Sequence, residues 1–187
     1  MSVSVQEHRD RAPRRIRFGV LTISDTRTLE TDESGRLLIA LVEAAGHAAT
    51  ARALCKDDPG QVSELVLDAC ARHDVDVLVL TGGTGFSRRD STFEAVSGLY
   101  NPCIPGFGEL FRMLSFEEIG AASMLSRASA GIVDGKAVFS LPGSRAAVRL
   151  AMERLILPES GHLLEQLAPR GEAGSSAEPG SSAEPGA

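Results

Sequence analysis

A three-layer α/β domain, doubly wound about a mostly parallel sheet and carrying one small β-hairpin, is the fold the 187 residues predict. Three observations lead to it. Val75-Asp76-Val77-Leu78-Val79-Leu80 is a nearly continuous β-branched and aliphatic run bounded by breakers, which marks a strand covered on both faces. Ahead of it, apolar runs and helix-period segments alternate as β-α-β-α-β, the order of a right-handed parallel sheet. Behind it, Asp134-Gly135 separates two short apolar runs, a strong hairpin signal. Apolar residues make up 43% of the chain, aromatics only 4%, and Trp is absent, so the core must be built from Val, Leu, Ile and Ala.

The elements follow in order. Ile16-Arg17-Phe18-Gly19-Val20-Leu21-Thr22-Ile23 is the first strand, apolar enough to be central, and it ends in the polar loop Ser24-Asp25-Thr26-Arg27-Thr28. Asp32-Glu33-Ser34-Gly35 introduces a helix with Leu37, Leu38, Leu41, Val42 and Ala45 on one face, closed by Gly46 at the C′ position. Residues 48–54 form a weaker second strand, because Ala is a poor strand former. Asp58 then caps a helix with Pro59 at N1 and Val62, Leu65, Val66, Ala69 and Cys70 inward.

The strand at 75–80 and the loop Thr81-Gly82-Gly83-Thr84-Gly85 come next, then Arg88, Arg89 and Asp90, and a short helix over 92–99. After the break at Asn101-Pro102-Cys103-Ile104-Pro105-Gly106, a helical segment restarts over 107–116 and a further short piece covers 117–126. Strands at 128–133 and 136–140 form the hairpin. Leu141-Pro142-Gly143-Ser144 leads into a helix over 145–157 that Pro158 ends, and an amphipathic segment closes the domain at 163–167.

The length suits one domain, expected over 16–168. Residues 1–15, with Arg9, Arg11, Arg14 and Arg15, read as a disordered arm. Residues 169–187, where SSAEPG occurs twice in tandem, read as a disordered low-complexity tail, too poor in apolar side chains to offset its ordering entropy. A net charge of −6 without a long Lys/Arg cluster argues against a nucleic-acid partner. No apolar run approaches the roughly 18–20 residues of a membrane span. The first fifteen residues have no apolar signal region. Cys55, Cys70 and Cys103 make an odd count without CxxC spacing, which fits a reducing cytoplasm and argues against a disulfide or zinc framework.

The chemistry concentrates at strand ends. Gly82, Gly83 and Gly85 let the backbone take positive φ and let a ligand approach without meeting a Cβ. Successive N–H groups of such a turn can converge on an anion. A lone glycine loop is more often only a tight turn. Here, however, Ser24-Asp25, Asp57, the 81–90 segment and Pro142-Gly143-Ser144 all follow strands, and so share one carboxyl edge where α/β sheets bind ligands. Mg²⁺ favours one or two carboxylates plus substrate phosphates, which makes Asp57 and Asp90 its candidate ligands. Asp90 has a second reading, as cap to the helix that starts at Ser91 or Thr92. His8, His47, His73 and His162 are scattered without ligand spacing, and Cys103 reads as a packed thiol.

TGGTGFSRRD, PGFGELFRMLSFEEIG, the hairpin and LPGS, in that order over about residues 17–167, resemble the MoaB/MogA family of molybdenum cofactor biosynthesis proteins. The same domain type occurs in plant and animal (gephyrin) G-domains, and GFGELFRMLSFEEIG is nearer the MoaB branch. The resemblance implies a molybdopterin-binding, MogA-like fold. It implies binding of molybdopterin and, in active members, its adenylylation with MgATP and release of pyrophosphate. By the same resemblance, Thr81, Gly82, Gly83, Thr84 and Gly85 would cradle the molybdopterin phosphate, with Arg89 beside them. Asp90 and Asp57 would be the catalytic aspartates, the latter acting with Mg²⁺. Ser144, Glu109 and Arg112 would line or support the pocket, and Ser24 and Asp25 would stand on its rim. A homotrimer or homohexamer, and contact with other molybdenum cofactor biosynthesis enzymes, are implied as well. A non-catalytic molybdopterin carrier on the same fold is the alternative.

Overall fold

The computed structural model describes residues 15–87 and 91–168. The expected N-terminal arm (apart from Arg15), the C-terminal tail, and Arg88, Arg89 and Asp90 lie outside them.

Five strands form one sheet: β1 (Arg17–Ile23), β2 (Ala48–Cys55), β3 (Val77–Thr81), β4 (Ser129–Val133) and β5 (Lys136–Leu141). They are ordered β2-β1-β3-β5-β4, all parallel except β4, which runs antiparallel to β5. The β-α-β-α-β reading therefore holds. The chain steps outward from β1 to β2 and then crosses back to β3, so the switch point falls between β1 and β3.

Side chains of alternating strand positions supply two cores. Phe18, Val20, Val77, Val79, Phe139 and Leu141 face α1 (Glu33–Ala44), α4 (Pro105–Ile119) and α5 (Arg145–Ala151). Leu21, Ile23, Leu78, Leu80 and Val138 face α2 (Pro59–Ala71) and α3 (Thr92–Ser97). All five residues of β3 are buried, as expected for a strand covered on both faces. β2 forms despite its alanines because β1 supplies a full parallel ladder; it lies at the sheet edge and is mostly half-buried. At the other edge, backbone bonds from Asn101 and Ile104 to β4 carbonyls cover the outer side of β4. The hairpin turn places Asp134 at φ 47° and Gly135 at φ 74°, the two left-handed residues of a tight β-turn.

Three features differ from the sequence reading. No break falls at 116–117: the helix of 107–116 is α4, which starts with Pro105 in its first turn, runs on to Ile119 and stops at Gly120 (φ 60°), and a 3₁₀ turn (Gly120–Leu125) takes up most of the expected piece at 117–126. Within α4 a Cβ on Gly108 would come within 2.7 Å of the Ala128 carbonyl, so glycine there serves close packing. The last helix is not ended by Pro158. A π-helical stretch, Met152–Ile156, widens the spiral just before that proline, and α6 (Leu157–Leu167) carries on with Pro158 in its first turn. Cys103 is exposed, not packed, although its thiol lies 3.6 Å from the Ala130 carbonyl.

Candidate functional site

Strand register sets the site. Thr22 pairs with Thr81, Thr81 with Leu141, and Ile23 with Cys55, so the loops after β1, β2, β3 and β5 leave from one edge. Two of those loops are bound directly to each other. The Gly82 N–H donates to the Leu141 carbonyl at 3.0 Å, and Thr81 Oγ1 donates to the Pro142 carbonyl at 3.2 Å. Ser34 Oγ, in α1, donates to the Gly143 carbonyl at 2.8 Å and accepts from Arg27 at 3.1 Å.

The glycines are required by conformation and by space. Gly82 (φ 108°) would drive a Cβ to 2.1 Å from the Ile23 carbonyl oxygen. Gly83 (φ 63°) would drive one to 2.0 Å from Thr92 Oγ1 and 2.7 Å from Asp57 Oδ2. Beside this loop opens a cleft of about 480 Å³. Its floor is Gly82, Gly83, Thr84 and Gly85; Pro142, Gly143 and Ser144 form one wall, and α4, through Phe111, Ser115 and Glu118, the other. Ser144 Oγ caps α5 by accepting from the Ala147 N–H at 3.2 Å, which turns the positive end of that helix toward the cleft.

Asp57 sits on the far side of the glycine loop. Its Oδ1 accepts from the Ser91 N–H (3.1 Å), Ser91 Oγ (3.1 Å) and Thr92 Oγ1 (3.2 Å). Its own N–H donates to Asp25 Oδ1 at 3.2 Å. Oδ2, against Gly83, takes no hydrogen bond among the described residues and stays open to a further ligand. Asp57 thus holds the start of α3, while the neighbouring Asp58 caps α2 by accepting from Gln61 N at 2.8 Å. Among the described residues no group of three or more His, Cys, Asp or Glu is arranged to hold a metal. One open carboxylate oxygen beside the glycine loop still fits Mg²⁺, whose remaining ligands are typically phosphate oxygens and water.

Ser24 Oγ accepts from the Thr26 and Arg27 N–H groups at 3.4 and 3.2 Å and so shapes the rim loop that presents Asp25. Glu109 lies on the exposed side of α4, outside the cleft lining, because the segment that holds it is helical. Arg112 reaches the Ser126 carbonyl at 3.4 Å and ties α4 to the chain after the 3₁₀ turn. Arg89 and Asp90 lie outside the described residues. Burial raises the Cys55 thiol, at the end of β2, to about 11, which rules it out as a neutral-pH nucleophile.

Two groups support the site in ways the sequence reading does not contain: one it names only at a helix start, the other not at all. Asp32 is fully buried and caps α1 by accepting from the Gly35 N–H at 2.9 Å, with Thr22 Oγ1 at 2.8 Å and Arg52 at 3.1 Å. Burial alone would raise its pKa, yet these donors together hold the carboxyl below its usual range. Arg52 also donates to the Leu29 carbonyl at 2.9 Å, which anchors the loop after β1. The other is Arg127, whose Nε donates to the Thr84 carbonyl at 2.9 Å and whose Nη2 donates to that of Gly85. Only the capping spacing at Asp32 had a local signal.

A glycine loop, an open carboxylate and a capped helix end along one edge of a mostly parallel sheet define an α/β domain with a ligand-sized cleft at its strand ends. Residues 19–162 match the model of a probable molybdopterin-binding domain. The chain belongs to that family, among the molybdenum cofactor biosynthesis proteins. It is 51% identical to molybdenum cofactor biosynthesis protein B of Halalkalibacterium halodurans over 166 residues, covering 88% of this chain and 98% of that one. A crystal structure of a molybdenum cofactor biosynthesis protein B superposes with a TM-score of 0.81 at 53% identity, over 83% of this chain and 98% of that one. The tungsten cofactor synthesizing protein MoaB from Pyrococcus furiosus superposes at 0.75 with 38% identity, over 83% and 99%.

Proposed function

We propose that this protein is a cytoplasmic molybdopterin adenylyltransferase that acts within one folded domain, residues 16–168. The observation that carries the reading is Asp57 fixed through Oδ1 against the glycine loop with Oδ2 open. The Thr81–Gly85 loop would hold the terminal phosphate of molybdopterin, chiefly through the N–H groups of Gly83, Thr84 and Gly85, since that of Gly82 is taken by the Leu141 carbonyl; the Ser144-capped end of α5 would favour its negative charge. A phosphate oxygen then attacks the α-phosphorus of ATP; the bond to the β-phosphate bridging oxygen breaks, and pyrophosphate leaves. No protein nucleophile is needed, so the chain acts by positioning two anions and screening their charge.

Mg²⁺, when bound, supplies charge neutralisation at the phosphates, and Asp57 with Asp90 would hold it. Ser24, Asp25 and Arg89 would complete the rim. Glu109 has no place in the cleft of a single chain. The exposed apolar stripe Leu110, Met113 and Phe116 on α4, with Met124 in the following turn, supports a homotrimer or homohexamer; their exposures are 47%, 55%, 60% and 75%.

Transfer of label from [α-³²P]ATP to molybdopterin, with and without Mg²⁺, tests the reading. Mg²⁺-dependent label on the pterin is expected. Binding of molybdopterin without any transfer would replace this reading with that of a carrier.

A further inference from the structure

The antiparallel strand β4 brings a residue to the site from an unforeseen direction. Because Ser129 pairs with Ser140, β4 begins at the edge where the parallel strands end, and Arg127 stands two residues ahead of it. Its Nε donates to the Thr84 carbonyl at 2.9 Å, its Nη2 to the Gly85 carbonyl, and its Nη1 pairs with Glu94 on α3. The guanidinium also lies 5.0 Å from the ring centre of Phe86 and 5.1 Å from that of Phe93, within cation–π range of both. With 14% of its side chain exposed, this is a largely enclosed cation.

In a trans peptide the carbonyl and the N–H point in opposite directions. Drawing the Thr84 and Gly85 carbonyls onto Arg127 therefore turns the N–H groups of Gly85 and Phe86 away from it. The Arg127 guanidinium is held by Glu94 and Phe93 of α3, while the cleft that begins at the neighbouring Ser126 is walled by α4 and the Pro142–Ser144 segment. We infer that Arg127 is the positioning residue of the glycine loop: by holding the Thr84 and Gly85 carbonyls it fixes the turn at Gly85 and orients the Gly85 N–H toward the cleft that Gly85 lines. Through Glu94 and Phe93 it also ties that loop to α3, whose first residues hold Asp57. Loop donors and carboxylate are thereby held in one register. This rests on the reading that the loop receives the molybdopterin phosphate.

Lysine keeps the charge but cannot hold two carbonyls, a carboxylate and two rings with one planar fork. The test measures binding of molybdopterin and of dephosphomolybdopterin to wild type, Arg127→Lys and Glu94→Gln, with thermal unfolding of each alongside. Wild type should prefer the phosphorylated ligand. Arg127→Lys should lose about tenfold in affinity for molybdopterin and none for the dephospho form, so the preference collapses. Glu94→Gln, at an exposed side chain, should lose about threefold for the phosphorylated ligand alone. A wild-type preference retained in Arg127→Lys would overturn the inference, as would an equal loss for both ligands, the pattern of general destabilisation. Should Arg127→Lys fail to fold, Glu94→Gln with an unchanged preference overturns it equally. A wild-type chain without preference would instead refute the phosphate reading itself, and this inference with it.

Discussion

Substituting Gly83 by alanine probes the point where fold and proposed chemistry meet. The residue has φ 63°, where an L side chain costs roughly 1–2 kcal/mol. The new Cβ would also lie 2.0 Å from Thr92 Oγ1 and 2.7 Å from Asp57 Oδ2. Thr92 must move, and its charge-assisted hydrogen bond to Asp57 goes with it, at a further cost of about 1.5–3 kcal/mol. Gly83→Ala should therefore lower the unfolding free energy by roughly 3–4 kcal/mol in a urea titration at 25 °C. Gly46→Ala is the internal control, since Gly46 has φ 81° and nothing within 4 Å, leaving only the conformational cost. The difference between the two variants, about 2 kcal/mol, isolates the steric term at Asp57. Adenylyl transfer should fall in Gly83→Ala and stay at the wild-type level in Gly46→Ala. If the two variants are destabilised equally and transfer survives in both, contact with Asp57 is not what requires glycine at 83.

Asp57→Asn can still accept from Ser91 and Thr92, so its unfolding free energy in urea should change by less than about 1 kcal/mol, while Mg²⁺-dependent transfer falls at least about a hundredfold; transfer near wild type removes Asp57 from the mechanism. Asp32→Asn leaves Arg52, 26% exposed, without its carboxylate and should cost about 2–3 kcal/mol by the same titration. Because the folded pKa of Asp32 lies below its unfolded value near 3.8, its contribution is complete above that value and disappears as pH falls through the folded one. The stability gap between wild type and Asp32→Asn should accordingly narrow as pH falls below 3.8, and a gap that does not narrow there contradicts the pairing. Phe116→Asp, on a 60% exposed side chain, should leave the monomer fold intact but reduce the mass in sedimentation equilibrium; an unchanged mass excludes this face from the interface.

Much of the fold could be read from local pattern. The run at 75–80 is apolar at every position but Asp76, and that one exception is explained at the strand's start, where Asp76 pairs with Arg17 at 2.6 Å. Helix starts at Asp32, Asp58 and Ser144 were legible because a capping side chain acts within three residues of its partner. Helix ends were less so. Pro158 reads as a stop, since a local rule cannot see that a π-helical turn makes room for it. Cys103 reads as packed between prolines, yet the segment that holds it lies along the outside of β4 and leaves the residue exposed.

By itself the sequence determined the parallel core, the glycine loop and the placement of Ser24, Asp57 and Ser144 at strand ends, because each depends on residues adjacent in the chain. Only the tertiary structure decided what surrounds that loop. Asp57 is held by Ser91 and Thr92, 34 and 35 residues away. Gly83 is a glycine because Asp57 and Thr92 leave no room for a Cβ. Arg127 reaches Thr84 across 43 residues only because β4 runs antiparallel and starts where its neighbours end. Such contacts follow from strand order and register, which no local spacing encodes.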